Sequence, residues 1–180
     1  MTMKRYAMIV AVAILGAACG SDSPSSPSNN QPNTIVFTAA LSAANEVPPI
    51  TNADANARGN ATVTFNLTRD SAGTITAATV NYVYSLSGFP PGSVIRATHI
   101  HEGGPAIGNG GVVLDSGLTP ATAITLADGT ATNITFSNLT NFVGGLGLIN
   151  AIIANPNGYY FNVHSAVNPG GALRGQLVKQ

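Results

Sequence analysis

The sequence predicts an all-β domain, an antiparallel Greek-key β-sandwich with one short helical excursion. Apolar and polar residues alternate along most of the chain from residue 34 onward, which is the pattern of strands that turn one face toward a core. Glycine, proline and asparagine separate these runs into about eight short segments, as in sandwiches built from many short strands. Charged residues make up only 8% of the chain, and threonine and asparagine occupy the polar strand positions instead. Residues 34–180 are therefore predicted to form one β-domain.

The first four strands are predicted from alternation and from the turn residues that follow each of them. They are placed at 35–41, 61–67, 74–86 and 94–101. The second shows the pattern most clearly, because Val63, Phe65 and Leu67 alternate with polar residues. Loops or turns rich in proline, glycine or aspartate separate the strands at 45–58, 70–73 and 88–92.

The second half of the domain contains further strands and the one predicted helix. After a glycine-rich loop, strands are predicted at 112–114, 130–136, 159–164 and 173–178. Between residues 138 and 154 the apolar residues instead recur at the 3.6-residue spacing of a helix, with three glycines interrupting the run. We therefore predict a helix over 138–154.

The first 33 residues have the features of an export signal followed by a tether. Lys4 and Arg5 precede an uncharged apolar run that is shorter than the roughly 20 residues needed to span a bilayer. The run ends in small residues and Cys19, a pattern that resembles the lipobox of bacterial lipoproteins, in which the cysteine is lipidated and becomes the first residue. We predict a signal peptide at 1–18, a lipidated Cys19 and a polar, disordered tether over 19–33. An ordinary secretory peptide with an incidental cysteine is the alternative.

The predicted anchor implies a location and a partner. It places the chain in a bacterial cell envelope, on the outer membrane or the cell surface, with the domain outside the cytoplasm and the membrane as its partner. Without Lys4 and Arg5 the mature chain carries seven acidic and five basic residues and has no basic patch, which argues against a nucleic-acid partner. No cysteine follows Cys19, so the domain has no disulfide. Composition does not identify a protein or carbohydrate ligand.

All three histidines lie in two of the predicted strands. His99 and His101 are two residues apart and therefore share a strand face, and His164 joins them if the two strands pair. Three imidazoles with an open fourth position suit a mononuclear zinc or copper site. The sequence therefore predicts a candidate metal site at His99, His101 and His164.

Charged residues near these histidines support a second hypothesis. Arg174 is predicted to face the same way as the histidines, and its permanently charged guanidinium repels a cation. Glu46 or Glu102 would offset that charge or orient a histidine. In this interpretation Glu46, Glu102, Arg174 and the histidines form a polar cluster that joins strand ends without a metal.

The sequence carries no pattern typical of a catalytic site. It lacks a Gly-X-Ser-X-Gly motif, and Cys19 is assigned to the anchor. Ser165 follows His164 directly, so in a strand their side chains point to opposite faces and do not form a catalytic pair. Glu46 and Glu102 are the only glutamates available for paired-carboxylate chemistry. We therefore expect a binding or structural role and no enzymatic activity.

Four short motifs carry a family resemblance. They are Asn-Glu-Val-Pro-Pro from residue 45, His-Ile-His-Glu-Gly from residue 99, Asn-Val-His-Ser from residue 162 and Leu-Arg-Gly-Gln from residue 173. In this order and spacing they resemble the CHRD domain, which is named for chordin and also occurs in microbial secreted proteins. The resemblance runs over about 37–177 and implies an extracytoplasmic β-domain whose biochemical role is not settled. A weaker likeness to copper/zinc superoxide dismutase concerns architecture alone, so the sandwich is predicted to be immunoglobulin-like or superoxide-dismutase-like.

Overall fold

A computed structural model of the protein describes residues 31–108 and 110–180. The predicted signal peptide, Cys19 and the part of the predicted tether before residue 31 lie outside the described residues. Within the described ranges, no helix is both long and apolar enough to cross a membrane.

The described residues form ten strands and one α-helix. In chain order these are β1 (Thr34–Ser42), β2 (Arg58–Arg69), β3 (Ile75–Ser87), β4 (Ser93–Glu102), β5 (Val112–Asp115), β6 (Ile124–Leu126), β7 (Ala131–Leu139), α1 (Leu146–Ala154), β8 (Tyr159–Ser165), β9 (Leu173–Gln176) and β10 (Val178–Lys179). Single 3-10 turns also occur at Ala43–Asn45, Pro120–Thr122 and Pro156–Gly158. The predicted all-β class with a single helix is confirmed.

The strands join in the order β5-β4-β8-β9-β1-β2-β3-β7, with β6 added beside β4 and β10 beside β1. Every pairing is antiparallel. The sheet curls until its two ends face each other: the Tyr82 ring of β3 lies 5.1 Å from the Phe161 ring of β8, and the Tyr82 hydroxyl donates a hydrogen bond to the Leu114 carbonyl of β5. The result is a nearly closed, barrel-like sheet around one core.

The core follows the alternation read from the sequence. Val63 and Phe65 of β2 are fully buried, and Phe65 packs against Phe37 of β1 with ring centroids 5.0 Å apart. Strand β1 lies between β2, its neighbour in sequence, and strands from the far end of the chain. Such a return of the chain beside its first strand is typical of Greek-key arrangements.

The predicted helix begins later than expected. Residues 138 and 139 belong to β7, and α1 starts only at Leu146. Asn138 has φ of 58°, Gly144 of 85° and Gly145 of 64°, which are left-handed conformations that a right-handed helix cannot contain. The prediction of a helix over 138–145 was therefore wrong, because apolar periodicity carries no information about backbone handedness.

Two smaller differences occur in the strands. The three-residue strand β6 was not predicted, and it exists only through its pairing with β4. The predicted final strand is divided at Leu177, which is buried and whose backbone N–H donates to the carbonyl of Tyr159 in β8. Strand β9 therefore pairs with β8, whereas β10 pairs with β1.

Strand β8 is buried along its whole length, which determines where the polar side chains of this region lie. Phe161 and Val163 face the core, as their parity predicts. The opposite face, with Tyr160, Asn162 and His164, is also buried. Loops that follow β1, β4 and β8 reach this second face through hydrogen bonds to β8 side chains. The histidines therefore lie beneath loops rather than on an open surface.

Candidate metal centre

The three histidines converge on one side of paired strands β4 and β8. In the antiparallel register His99 lies opposite Asn162 and His101 opposite Tyr160, while His164 is two residues further along β8. One ring nitrogen from each histidine lies within 4.8 Å of the others. His99 Nδ1 and His164 Nε2 lie 3.1 Å apart.

Backbone carbonyls determine which nitrogens of two histidines face inward. His101 Nδ1 lies 2.8 Å from the Gly110 carbonyl, and His164 Nδ1 lies 2.9 Å from the Pro169 carbonyl. A carbonyl oxygen only accepts, so both rings carry their proton at Nδ1 and leave a lone pair at Nε2. His101 Nε2 is buried and has no hydrogen-bond partner among the described residues. A buried lone pair without a donor is unusual in a folded protein.

His99 has conflicting demands on its two nitrogens. Its Nε2 lies 3.6 Å from Asp115 Oδ2, which favours a proton on Nε2. Its Nδ1 then turns a lone pair toward the lone pair of His164 Nε2. The other neutral tautomer gives Nδ1 a proton for His164 but turns a lone pair toward the carboxylate. The Nδ1-protonated tautomer makes the His164 contact a hydrogen bond, whereas the Nε2-protonated tautomer suits the longer approach to Asp115.

Burial keeps these rings in the form that binds metals. It is the largest cause lowering the pKa of each of the three histidines below its usual value. The pKa of His99 falls to about 4, because the neighbouring His164 adds to the effect of burial and outweighs the opposing Asp115. At neutral pH the three rings are therefore uncharged, which is the protonation state that coordinates a metal ion.

Asp115 was not among the predicted site residues. Strand β5 pairs with β4 so that Asp115 lies directly opposite His99. Its other oxygen, Oδ1, accepts a hydrogen bond from the Gly117 backbone N–H at 2.7 Å, which holds the carboxylate in a tight turn. The only sequence signal was an aspartate two residues before a glycine at the end of a short strand, because nothing local indicates which strand β5 joins.

Arg174 lies close to the histidines but is separated from them by an aromatic ring. Its guanidinium carbon lies 3.5 Å above the centre of the Tyr160 ring, and that ring stacks on His101 with centroids 4.9 Å apart. The guanidinium donates to the carbonyls of Gly104 and Ile107, each at 2.6 Å. The side chain is only 2% exposed. Arg174 therefore anchors the loop between β4 and β5, with the Tyr160 ring between its charge and His101.

The two predicted glutamates lie apart from the histidines. Glu46 Oε1 accepts a hydrogen bond of 2.7 Å from Asn162 Nδ2, and burial raises the pKa of Glu46. No ion pair joins Glu46 to Arg174 among the described residues. Glu102 is exposed and follows His101 directly in β4, so its side chain points to the other strand face. The carboxylate beside a histidine belongs to Asp115 rather than to Glu46 or Glu102.

Comparison with known proteins returned one family. The family model described as the CHRD domain matches residues 37–177, a stretch that contains all four sequence motifs and the three histidines. No curated protein and no solved structure shows a significant match to the chain.

Proposed function

The chain belongs to the CHRD domain family, and on that basis we propose that it is an extracytoplasmic domain. From the geometry of the site we further propose that it binds one zinc or copper ion through His99, His101 and His164. The observation that carries the metal proposal is the contact between His99 Nδ1 and His164 Nε2. A hydrogen bond to the Pro169 carbonyl leaves a lone pair on His164 Nε2, and the Asp115 carboxylate 3.6 Å from His99 Nε2 favours a lone pair on His99 Nδ1. A metal ion removes the conflict between these two lone pairs.

The spacing of the three nitrogens supports a shared ion. Two imidazole nitrogens bound to one zinc ion lie about 3.4 Å apart, given zinc–nitrogen bonds of about 2.0–2.1 Å. The His99–His164 pair is already near this separation at 3.1 Å, and the widest of the three separations is within 4.8 Å. Side-chain movements of about 1 Å therefore bring all three nitrogens into a tetrahedral arrangement with one open position.

A proton is the competing occupant of this position. It would sit between His99 and His164 and satisfy both nitrogens by converting one ring to an imidazolium. The pKa of His99, lowered to about 4 chiefly by burial, opposes this protonation at neutral pH. Imidazole nitrogen suits both zinc and copper, and the only cysteine in the chain lies outside the domain.

The surroundings of the histidines favour binding over catalysis. Two cavities of about 340 and 530 Å³ flank Glu46 and Val47, and no histidine lines either of them. The side chain of His99 is 13% exposed, so an ion reaches the site from its side of the cluster. We therefore propose a metal-holding role and no enzymatic reaction.

The metal proposal predicts one ion per chain. Protein purified without chelator and dialysed against zinc or copper should contain one equivalent of the added metal, measured by mass spectrometry of the metal. His99→Ala should lose this metal, because two imidazoles alone hold the ion weakly. Arg96→Ala changes an exposed side chain of the same strand and serves as the matched control. The proposal would be rejected if the unaltered protein held less than one equivalent of metal both after dialysis against zinc and after dialysis against copper. One full equivalent of metal in His99→Ala would also reject it.

We also propose that the domain is lipid-anchored at Cys19 in a bacterial cell envelope, on the outer membrane or cell surface. The family supports an extracytoplasmic domain, and the pattern of residues 1–19 supports the anchor. Expression in a bacterium with a palmitate analogue should label the full chain, and Cys19→Ser should abolish the label. Ser21→Ala, which retains the cysteine, should be labelled normally. Label that persists in Cys19→Ser would show that the acyl chain is attached elsewhere.

A further inference from the structure

We propose that Asp115 is a positioning residue for the metal site, whose carboxylate holds His99 in the tautomer that presents Nδ1 to the ion. This inference rests on the proposed metal binding. Asp115 Oδ2 lies 3.6 Å from His99 Nε2, on the opposite side of the ring from the atom that faces His164. Asp115 therefore orients a ligand from behind and does not itself touch the ion. Carboxylates in this position fix both the tautomer and the ring orientation of a metal-binding histidine.

His99 needs this help more than the other two histidines. Backbone carbonyls orient His101 and His164, and both present Nε2 inward. His99 presents Nδ1, and the group beside its outer nitrogen is a side chain that mutation can change. The site thus combines one Nδ1 ligand with two Nε2 ligands. Asp115 determines the tautomer of His99, the one histidine that binds through Nδ1.

The backbone around Asp115 determines what a substitution would do. Asp115 Oδ1 accepts the Gly117 N–H at 2.7 Å, so an oxygen is required at that position. In Asp115→Asn the single amide oxygen is held there by Gly117, and the NH₂ group turns toward His99. An NH₂ group donates, so it favours a lone pair on His99 Nε2 and a proton on Nδ1, which blocks the ligand atom.

A positioning role for Asp115 predicts an order of zinc affinities that a merely structural role would not produce. Asp115→Asn should weaken zinc binding by about 10–100-fold, within the range found for such outer partners. Asp115→Ala should weaken it less, because it removes the orienting carboxylate without imposing the wrong tautomer. If Asp115 served only to hold the turn, the near-isosteric asparagine would instead be the milder change.

The test is zinc titration by competition with a chromophoric chelator, together with ¹⁵N imidazole spectra that report the His99 tautomer in the zinc-free proteins. Asp128→Asn is the matched control, since Asp128 Oδ1 likewise accepts a turn N–H, from Thr130, and is remote from the histidines in sequence. A proton on His99 Nδ1 in Asp115→Asn, with affinity below that of Asp115→Ala, supports the inference. If Asp115→Asn bound zinc as tightly as Asp115→Ala, or more tightly, the inference would be overturned and the proposed metal site would stand. No zinc binding by the unaltered protein would overturn the proposed function and this inference with it.

Discussion

Saturation with zinc is expected to raise the melting temperature of the protein by about 8–16 °C at a free zinc concentration about 1,000 times the Kd. A ligand that binds only the native state contributes about 4.1 kcal/mol at that concentration, and each kcal/mol shifts the melting temperature of a domain of this size by about 2–4 °C. The ligands come from β4 and β8, which are far apart in the chain, so they converge only in the folded domain. Calorimetric scans with zinc and with a chelator measure the shift directly.

The double variant His99→Ala/His101→Ala should show no zinc-dependent shift. The scan of the double variant with zinc is compared with the scan of the same variant with chelator, so any loss of intrinsic stability cancels from the difference in melting temperature. Zinc that binds the unfolded chain would reduce the shift in every protein tested. An equal shift in the double variant and the unaltered protein would place the stabilising ion somewhere other than the histidines.

Much of the fold could be predicted because burial on one side of a strand leaves a period-two signature. Val63 and Phe65 illustrate this, since alternation alone identifies them as core residues and both are fully buried. The same parity relates His99 to His101 through the geometry of a single strand. His164 joins them because β4 pairs with β8, which is a long-range contact. The sequence predicted the convergence only on the condition that these two strands pair.

The parts of the site that escaped prediction depend on such long-range contacts. Asp115 reaches His99 because β5 returns to β4 after a glycine-rich loop, and a four-residue strand carries too little pattern to reveal its partner. Tyr160 is placed by parity on the face that holds His101 and Arg174, but parity does not show that its ring lies between them. The ring separates the guanidinium from His101, and the Arg174 charge still contributes, after burial, to the lowered pKa of that histidine.

Arg174→Met is expected to lower the free energy of unfolding by about 3 kcal/mol. The guanidinium donates to the carbonyls of Gly104 and Ile107 and stacks on Tyr160, and hydrogen bonds to charged groups contribute about 1.5–3 kcal/mol each. Methionine preserves much of the aliphatic packing but satisfies neither carbonyl. Urea denaturation followed by circular dichroism measures the loss. Arg96→Met removes an exposed arginine from β4 and should change stability by no more than about 0.5 kcal/mol.

The same substitution decides between two opposite effects on the metal site. Removing a buried positive charge favours a nearby cation and should raise zinc affinity if repulsion dominates. Releasing the loop between β4 and β5 loosens the Gly110 carbonyl that orients His101, and should lower affinity if anchoring dominates. We expect the affinity to fall, because the Tyr160 ring separates the charge from His101 whereas the loop contacts that histidine directly.

Arg174→Lys keeps the charge but cannot span both carbonyls, so it should show a similar loss of affinity. Tighter zinc binding in Arg174→Met than in Arg174→Lys would show that repulsion, rather than anchoring, is the effect of this arginine on the site.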